Sequence, residues 1–329
     1  MEYLTNNTDL KKVADAIREK GGTSAALQYP DDFVAAIGEI TTGIELSLIV
    51  SVTSGSVVTA TKGAAVISGT AVNGSCTLIV PEAGVWSVKA TRNGQTSNTV
   101  SVSVKDSYAL TLNFLKDNFA DNDWASIIAA CHSGSVPSTW VVGNSKTMTI
   151  NGASYQVDII GKNHDTYTAG GTAPLTFQLH DCYGDLKNMN SSNTSEGGWT
   201  SCAMRSTHLP AILALMPTEV QNGIREVNKL TSAGNLSDTI NITADKLFLL
   251  SEIEIFGSVT YSKSGEGTQY DYYKAGNNRI KNKNDSPYFW WERSPHGSDS
   301  TRFCRVDFNG DARYYYAKGN FGVAFGFCF

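Results

Sequence analysis

The sequence contains no apolar run that reaches the roughly 20 residues of a membrane-spanning helix, so no membrane insertion is expected. Its start, Met1-Glu2-Tyr3-Leu4-Thr5-Asn6-Asn7, has neither a basic region nor an apolar stretch, so no Sec-type signal peptide is expected. No Cys-x-x-Cys occurs among six scattered cysteines, Cys76, Cys131, Cys182, Cys202, Cys304 and Cys328. Without a secretion signal these read as buried free thiols. Triplets such as Asn193-Thr194-Ser195 and Asn241-Ile242-Thr243 carry no weight as glycosylation sites for the same reason. Positive charge is scarce as well. With 26 Lys and Arg against 31 Asp and Glu, the net charge of −5 disfavours a nucleic-acid partner, because phosphate contacts need a basic face. Gly-x-Ser-x-Gly, the phosphate-binding loop motif and His-Glu-x-x-His are all missing. No catalytic residue, metal ligand or cofactor is assigned, and the chain does not read as an enzyme.

What is present is a globular chain. At 329 residues, 41% hydrophobic and 17% charged, it exceeds one small domain and is not disordered, so two or three domains are expected. Residues 1–43 read as a helical entry segment. Leu10, Val13, Ala14 and Ile17 follow a helical period that ends at Gly21-Gly22, and a second short helix begins at Tyr29-Pro30, with Phe33, Val34, Ile37 and Ile40 on one side. Two such helices cannot bury a core alone, so the segment is expected to dock on a partner or to oligomerise. Ala14-Asp15-Ala16-Ile17-Arg18-Glu19-Lys20-Gly21-Gly22, followed by Tyr29-Pro30-Asp31-Asp32-Phe33, resembles a leader that recurs in tail-associated proteins of phages of Gram-positive bacteria. Here Tyr29 stands in the place of that leader's Phe.

Residues 44–106 read as all-β. Short β-branched runs at 46–52, 65–67, 76–80, 85–90 and 99–104 are separated by Gly, Asn and Pro81 at sandwich-like spacing. Trp86 within Gly84-Val85-Trp86-Ser87-Val88 resembles the core strand of bacterial immunoglobulin-like modules, which implies a spacer. Residues 107–329 form the large domain. Leu110 to Phe119 and Trp124 to Cys131 look helical, the latter capped by Asp123. Strands at 146–150 and 155–160 are joined by Asn151-Gly152, a strong hairpin signal. A strand at 175–180, helices at 210–216 and 218–230, and a strand at 246–251 follow.

The last forty residues organise the rest. Tyr288 to Pro295 and Gly322 to Phe329 are aromatic and glycine-rich and read as buried strands. Between them lie His296, Arg302, Arg305, Asp307, Phe308, Asp311, Arg313, Tyr314, Tyr315, Tyr316, Asn320 and Phe321, with no helical period and no clean alternation. Tyr gives rigid contact area, Arg gives bidentate charge, and Ser, Gly and Asn adapt, which is the chemistry of a binding surface. Asn codons randomised at their two adenines give Tyr, Phe, Asp, Arg, His, Ser or Gly, but never Lys, Glu, Gln, Met or Trp. From His296 to Phe321 only Lys318 breaks that rule. Tyr270 to Pro295, equally long, holds Lys274, Lys281, Lys283, Trp290, Trp291 and Glu292.

With Trp291-x-Arg293-Ser294-Pro295 and Gly322-Val323-x-Phe325-Gly326-Phe327-Cys328, residues 107–329 resemble the variable proteins of diversity-generating retroelements. The fold class implied is multidomain: a short α-helical leader, an all-β immunoglobulin-like sandwich and an α+β C-type-lectin-like C-terminal domain. The function implied is a phage tail-associated receptor-binding protein, made in the bacterial cytoplasm and carried at the tail tip. Its partners would be a host bacterial surface protein or glycan at the varied residues, and phage tail proteins through residues 1–43. A homotrimer would add avidity. Formylglycine-generating enzymes share the lectin-like scaffold and use cysteines, so an enzyme built on Cys304 and Cys328 stays as an alternative, as does a bacterial adhesin that is not diversified. Asp307-Phe308-Asn309-Gly310-Asp311 begins like a calcium loop, but its twelfth position is Lys318. His164-Asp165 and His180-Asp181-Cys182 lack the further groups that a metal site or a catalytic dyad needs. The expectation is that Arg302, Arg305, Asp307, Phe308, Asp311, Arg313, Tyr314, Tyr315, Tyr316 and Phe321 are largely accessible and close together, over a buried Trp290, Trp291, Val323, Phe325 and Phe327.

Overall fold

Residues 7–21, Asp32 and residues 46–329 are described in the computed structural model, and the expected second short helix lies outside them apart from Asp32. The chain divides into two compact units, Met1–Asn113 and Phe114–Phe329. It is mostly β, in several sheets, with a short N-terminal helix.

That helix is α1, Asn7–Gly21. Ala14 and Ile17 are buried, Leu10 is half-buried and Val13 is exposed, so the apolar stripe is narrower than its period suggested. Lys11 and Asp15 pair one turn apart at 2.7 Å on the outer face.

The strands of the first unit are β1 (Ser47–Ser51), β2 (Val57–Lys62), β3 (Ala65–Thr70), β4 (Ser75–Ile79), β5 (Gly84–Arg92), β6 (Gln95–Thr96), β7 (Val100–Val104) and β8 (Ser107–Thr111). One sheet has the order β4-β1-β8, the other β3-β2-β5-β6 with β7 also on β5. Buried and exposed residues alternate along β1, β4 and β7, as strands with one covered face require. Leu48, Val50, Leu78, Trp86, Val88 and Val104 fill the interior, and the Trp86 indole N–H donates to the Glu82 carbonyl at 3.1 Å. The helix expected from Leu110 to Phe119 is not formed. Ser107–Thr111 pairs in parallel with β1 instead, Val50 opposite Leu110, so the second unit begins at Phe114 and not at 107. Only Phe119–Asp121 makes a single helical turn there.

In the second unit, Trp124–Ser133 is the expected helix, with the Asp123 carboxylate accepting from the Ser126 N–H. The hairpin of β9 (Ser145–Ile150) and β10 (Ala153–Lys162) turns at Asn151 and Gly152, whose φ angles of 49° and 78° are those a tight turn demands. Next come β11 (Leu175–Leu179), β12 (Val227–Ser232), β13 (Ile240–Asp245), β14 (Leu247–Phe248), β15 (Lys281–Lys283), β16 (Ser286–Tyr288), β17 (Trp290–Pro295), β18 (Arg302–Val306), β19 (Ala312–Tyr316) and β20 (Gly326–Cys328). The helix expected to run from Thr218 to Leu230 stops at Gly223. A Cβ there would lie 2.7 Å from Ile128, and the chain beyond it turns into β12, which pairs with β13. Two sheets matter for the site. The order β14-β20-β11-β10-β9 buries Phe177, Phe327 and Phe329, and β17-β18-β19 forms a three-stranded ribbon.

A buried charged network lies in the same unit. Lys229 Nζ reaches Asp165 at 2.8 Å and Glu254 at 2.7 Å, and Arg293 clamps Glu254 with both terminal nitrogens. Burial would raise the Asp165 and Glu254 carboxyls, but the neighbouring Lys229 and Arg293 outweigh it and lower both, Asp165 to about 2. His164 stacks on Tyr270 at 4.0 Å.

Candidate functional site

The expected scaffold is buried as anticipated: Trp290, Trp291, Val323, Phe325 and Phe327 are all fully enclosed. Their polar edges are satisfied, with the Trp290 indole N–H donating to Arg279 O at 3.0 Å and that of Trp291 to Lys187 O at 2.8 Å. Gly322 lets the chain pass between strands, since a Cβ there would lie 2.9 Å from Phe289 O and closer still to Cys182. Trp291 N–H then donates to Gly322 O at 3.0 Å, which ties β17 to the segment leading into β20.

The irregular middle segment folds as a hairpin. Arg302 stands opposite Tyr316, Phe303 opposite Tyr315, Cys304 opposite Tyr314 and Arg305 opposite Arg313. Asp307 organises its tip. One carboxylate oxygen accepts from the N–H groups of Asn309 and Asp311 at 2.9 and 3.0 Å, and the other faces Arg313 Nε at 3.4 Å. Gly310 adopts a φ of 83°, as a three-residue hairpin loop requires. Those contacts use the Asp307 oxygens that a calcium loop would aim at its ion. Among the described residues no group of three or more His, Cys, Asp or Glu is arranged to hold a metal.

Paired residues share a face, so the ribbon has two, and each carries an arginine set among aromatic rings. On one face Arg302 lies over Tyr314 at 4.9 Å and Tyr316 at 4.7 Å, and donates to the Tyr316 hydroxyl at 3.2 Å. Tyr314 meets His296 at 4.5 Å and Tyr261 at 4.9 Å, edge to face. Burial pulls the His296 pKa down, and Ser298 N–H donates to its Nδ1, so the ring is neutral with its proton on Nε2. On the other face Arg305 lies over Phe289, Phe321 and Tyr315, with Phe308 against Phe289 at 5.3 Å and Trp291 against Phe321 at 5.1 Å. The absence of clean alternation in the sequence has this cause. Neither face is simply inside or outside.

Of the twelve candidates, Phe308, Asp311, Arg313, Tyr315, Tyr316 and Asn320 are exposed, and Arg302, Tyr314 and Phe321 are half-buried. Arg305 and Asp307 depart from the accessible surface expected from sequence, and His296, a candidate outside that expectation, is buried too. Asp307 is buried because its carboxylate holds the turn, Arg305 because three rings enclose it, and His296 because Tyr261 and Tyr314 cover it. Tyr261, which no sequence signal marked, and Phe289, which stood in a run read only as buried strand, also join the clusters. Tyr261 comes from a loop whose N–H groups at 261 and 262 are held by the Glu252 carboxylate at 3.0 and 2.7 Å. The clefts lined by Arg205 and Leu247, by Tyr167 and Arg225, and by Tyr155 and His180 contain none of the twelve.

The thiol alternatives have little chemistry available. All six cysteines are buried and unpaired. Burial raises Cys304 and Cys328 well above the ordinary thiol range and Cys182 to about 12, so none is a ready thiolate at neutral pH. His180 is tied to Asp158 at 2.6 Å, a hydrogen bond that raises its pKa. Beside Cys304, the Glu292 carboxyl is buried with neither oxygen hydrogen-bonded to protein, and burial followed by Glu252 and Glu266 keeps it in the acid form.

Residues 171–328 match a family described as a domain of unknown function, DUF6273. No curated protein and no solved structure matches the chain.

Proposed function

We propose that this chain is a phage tail-associated receptor-binding protein whose C-terminal hairpin is diversified by a retroelement. One observation carries the reading. Five of the candidate residues, Phe308, Asp311, Arg313, Tyr315 and Tyr316, stand exposed on the hairpin and Asn320 just beyond it, while Trp290, Trp291, Phe325 and Phe327 are wholly buried, so side chains can change there without touching the core. The same hairpin segment is the one whose composition fits randomised Asn codons, with Lys318 the exception. In this reading residues 114–329 are a C-type-lectin-like domain, the β-sheets before them an immunoglobulin-like spacer, and residues 1–43 the attachment to the tail. Cys304 and Cys328 belong to the scaffold in this account, since buried, protonated thiols weigh against a formylglycine-generating chemistry.

A library randomised at Phe308, Asp311, Arg313, Tyr315, Tyr316 and Asn320 tests this. Most members should stay folded and differ in which host cells they bind. A library that is largely unfolded, or that binds cells without regard to these positions, would remove the basis of the reading. An adenine-differing repeat and a reverse transcriptase gene beside the coding sequence would support diversification independently. A chain starting at Gly43 is expected to keep residues 114–329 folded while losing incorporation into virions.

A further inference from the structure

Arg305 differs from the other two arginines of the hairpin in having no polar partner. Arg302 is paired with Asp299 at 3.1 Å and with the Tyr316 hydroxyl at 3.2 Å, and Arg313 faces Asp307 at 3.4 Å and Asp311 at 3.8 Å. The Arg305 guanidinium lies instead 4.0 Å from the ring centre of Phe289, 4.2 Å from Phe321 and 4.7 Å from Tyr315. Only 9% of the residue is exposed, and its Nε is buried without a hydrogen-bond partner. Among the described residues no oxygen accepts from its terminal nitrogens, and no carboxylate pairs with it.

Rings attract the faces of a guanidinium but do not replace water at its N–H edge. A buried donor left unfilled is destabilising, and a charged one more so. The surroundings show the same imbalance. Burial lowers the Arg305 pKa to about 10, and although Tyr315, Asp307 and Tyr288 oppose this, they do not cancel it. The free edge is a planar fork of two N–H groups, which matches a carboxylate in bidentate fashion. One uncompensated positive charge suits a monoanion. A phosphate dianion would want a second cation, and Arg313 is already held by Asp307 and Asp311.

We propose that Arg305 anchors a carboxylate-binding subsite on this face of the hairpin, flanked by the exposed rings of Phe308 and Tyr315. The proposal rests on the reading of the hairpin as a ligand-binding surface and names the chemistry of one group on that ligand. In this chain Arg305 is the charged centre of the face, with Phe308 and Tyr315 beside it.

The test uses the full chain labelled with 15N, as wild type, Arg305→Met and Arg305→Lys. Each is titrated with sodium acetate, with sodium chloride and sodium phosphate at matched ionic strength, while the arginine Nε–H resonances are followed. In the wild type one resonance, absent from Arg305→Met, should shift saturably with acetate and not with chloride. Arg305→Met should melt no lower than the wild type, because an apolar chain replaces a buried charge that had no partner. Arg305→Lys keeps the charge but loses the fork, so its acetate affinity, read from protection against thermal unfolding, should fall by roughly tenfold. This variant carries the test if Arg305→Met does not fold. An absent or non-saturating acetate shift overturns the proposal, as does equal protection of wild type and Arg305→Lys, or a stronger response to phosphate. Host-cell binding separates this failure from the other. If Tyr315→Ala and Tyr316→Ala lose cell binding while acetate has no effect, the subsite is wrong and the surface reading stands. If acetate binds but none of these variants changes cell binding, the surface reading fails.

Discussion

Two arginines twelve positions apart in the sequence, Arg293 and Arg305, are both buried, and their surroundings are opposite. Arg293 is satisfied on every nitrogen. Its Nε donates to Thr231 Oγ1 at 2.8 Å, Nη1 to Leu249 O at 2.9 Å and to Glu254, and Nη2 to Leu230 O, Glu266 O and Glu254 at 3.0, 2.8 and 2.9 Å. Although burial lowers its pKa, Glu254 beside it more than compensates, and the net shift is upward. Arg305 touches only rings, and its net shift is downward. Burial alone therefore does not identify a structural arginine. The first holds together β12, β17 and the helix Glu252–Phe256, whereas the second meets only the rings of Phe289, Tyr315 and Phe321.

That contrast is sharpest in stability. Arg293→Met leaves the buried Glu254 with the Ser251 N–H and with Lys229 as its remaining cation, and should cost about 3–5 kcal/mol in denaturant unfolding. Loss of less than about 1 kcal/mol would place Arg293 with Arg305 and erase the distinction. A somewhat smaller effect comes from the carboxyl beside this network. Burial raises Glu266 from 4.5 to about 7, so the folded chain holds a proton that the unfolded chain releases above about pH 4.5. Stability is fully present below pH 4.5 and falls as pH rises through about 7, by about 3 kcal/mol at most. Glu266→Gln should flatten that slope, measured as unfolding free energy at a series of pH values. Asp165 works in the opposite direction. Its pKa, lowered to about 2, adds stability above pH 3.8 that is lost as pH falls through the folded value.

Much of this architecture could be read in advance where local chemistry and tertiary demand agree. Asn151-Gly152 marked a hairpin, Asp123 a cap, and the Trp290-Trp291 and Phe325-Gly326-Phe327 runs a core. The reading failed where a partner strand decides. Leu110 to Phe119 looks helical in isolation, but its first residues belong to Ser107–Thr111, which is drawn into a parallel pair with β1, a contact more than fifty residues away. Beyond Gly223 the chain could have remained helical, but β13 supplies a ladder for it. The site was legible as a list of residue types and not as a shape. Tyr, Arg and Asp in one segment announced a surface, yet nothing in their spacing told that Arg305 would be enclosed by Phe289 and Phe321, or that Tyr261 would arrive from a separate loop.

The smallest expected effect on folding carries the central claim, that the hairpin binds and the scaffold beneath it holds. Tyr315→Ala and Tyr316→Ala remove exposed rings and should change stability by no more than about 0.5 kcal/mol, whereas Phe325→Ala should cost about 3–5 kcal/mol. A thermal melt and a host-cell binding assay run together on these three variants test the account most directly. The account predicts near-wild-type melting for the two tyrosine variants, with binding weakened by about 2 kcal/mol or more in at least one of them. Tyrosine variants that melt as low as Phe325→Ala, or that bind cells as well as the wild type, would contradict it.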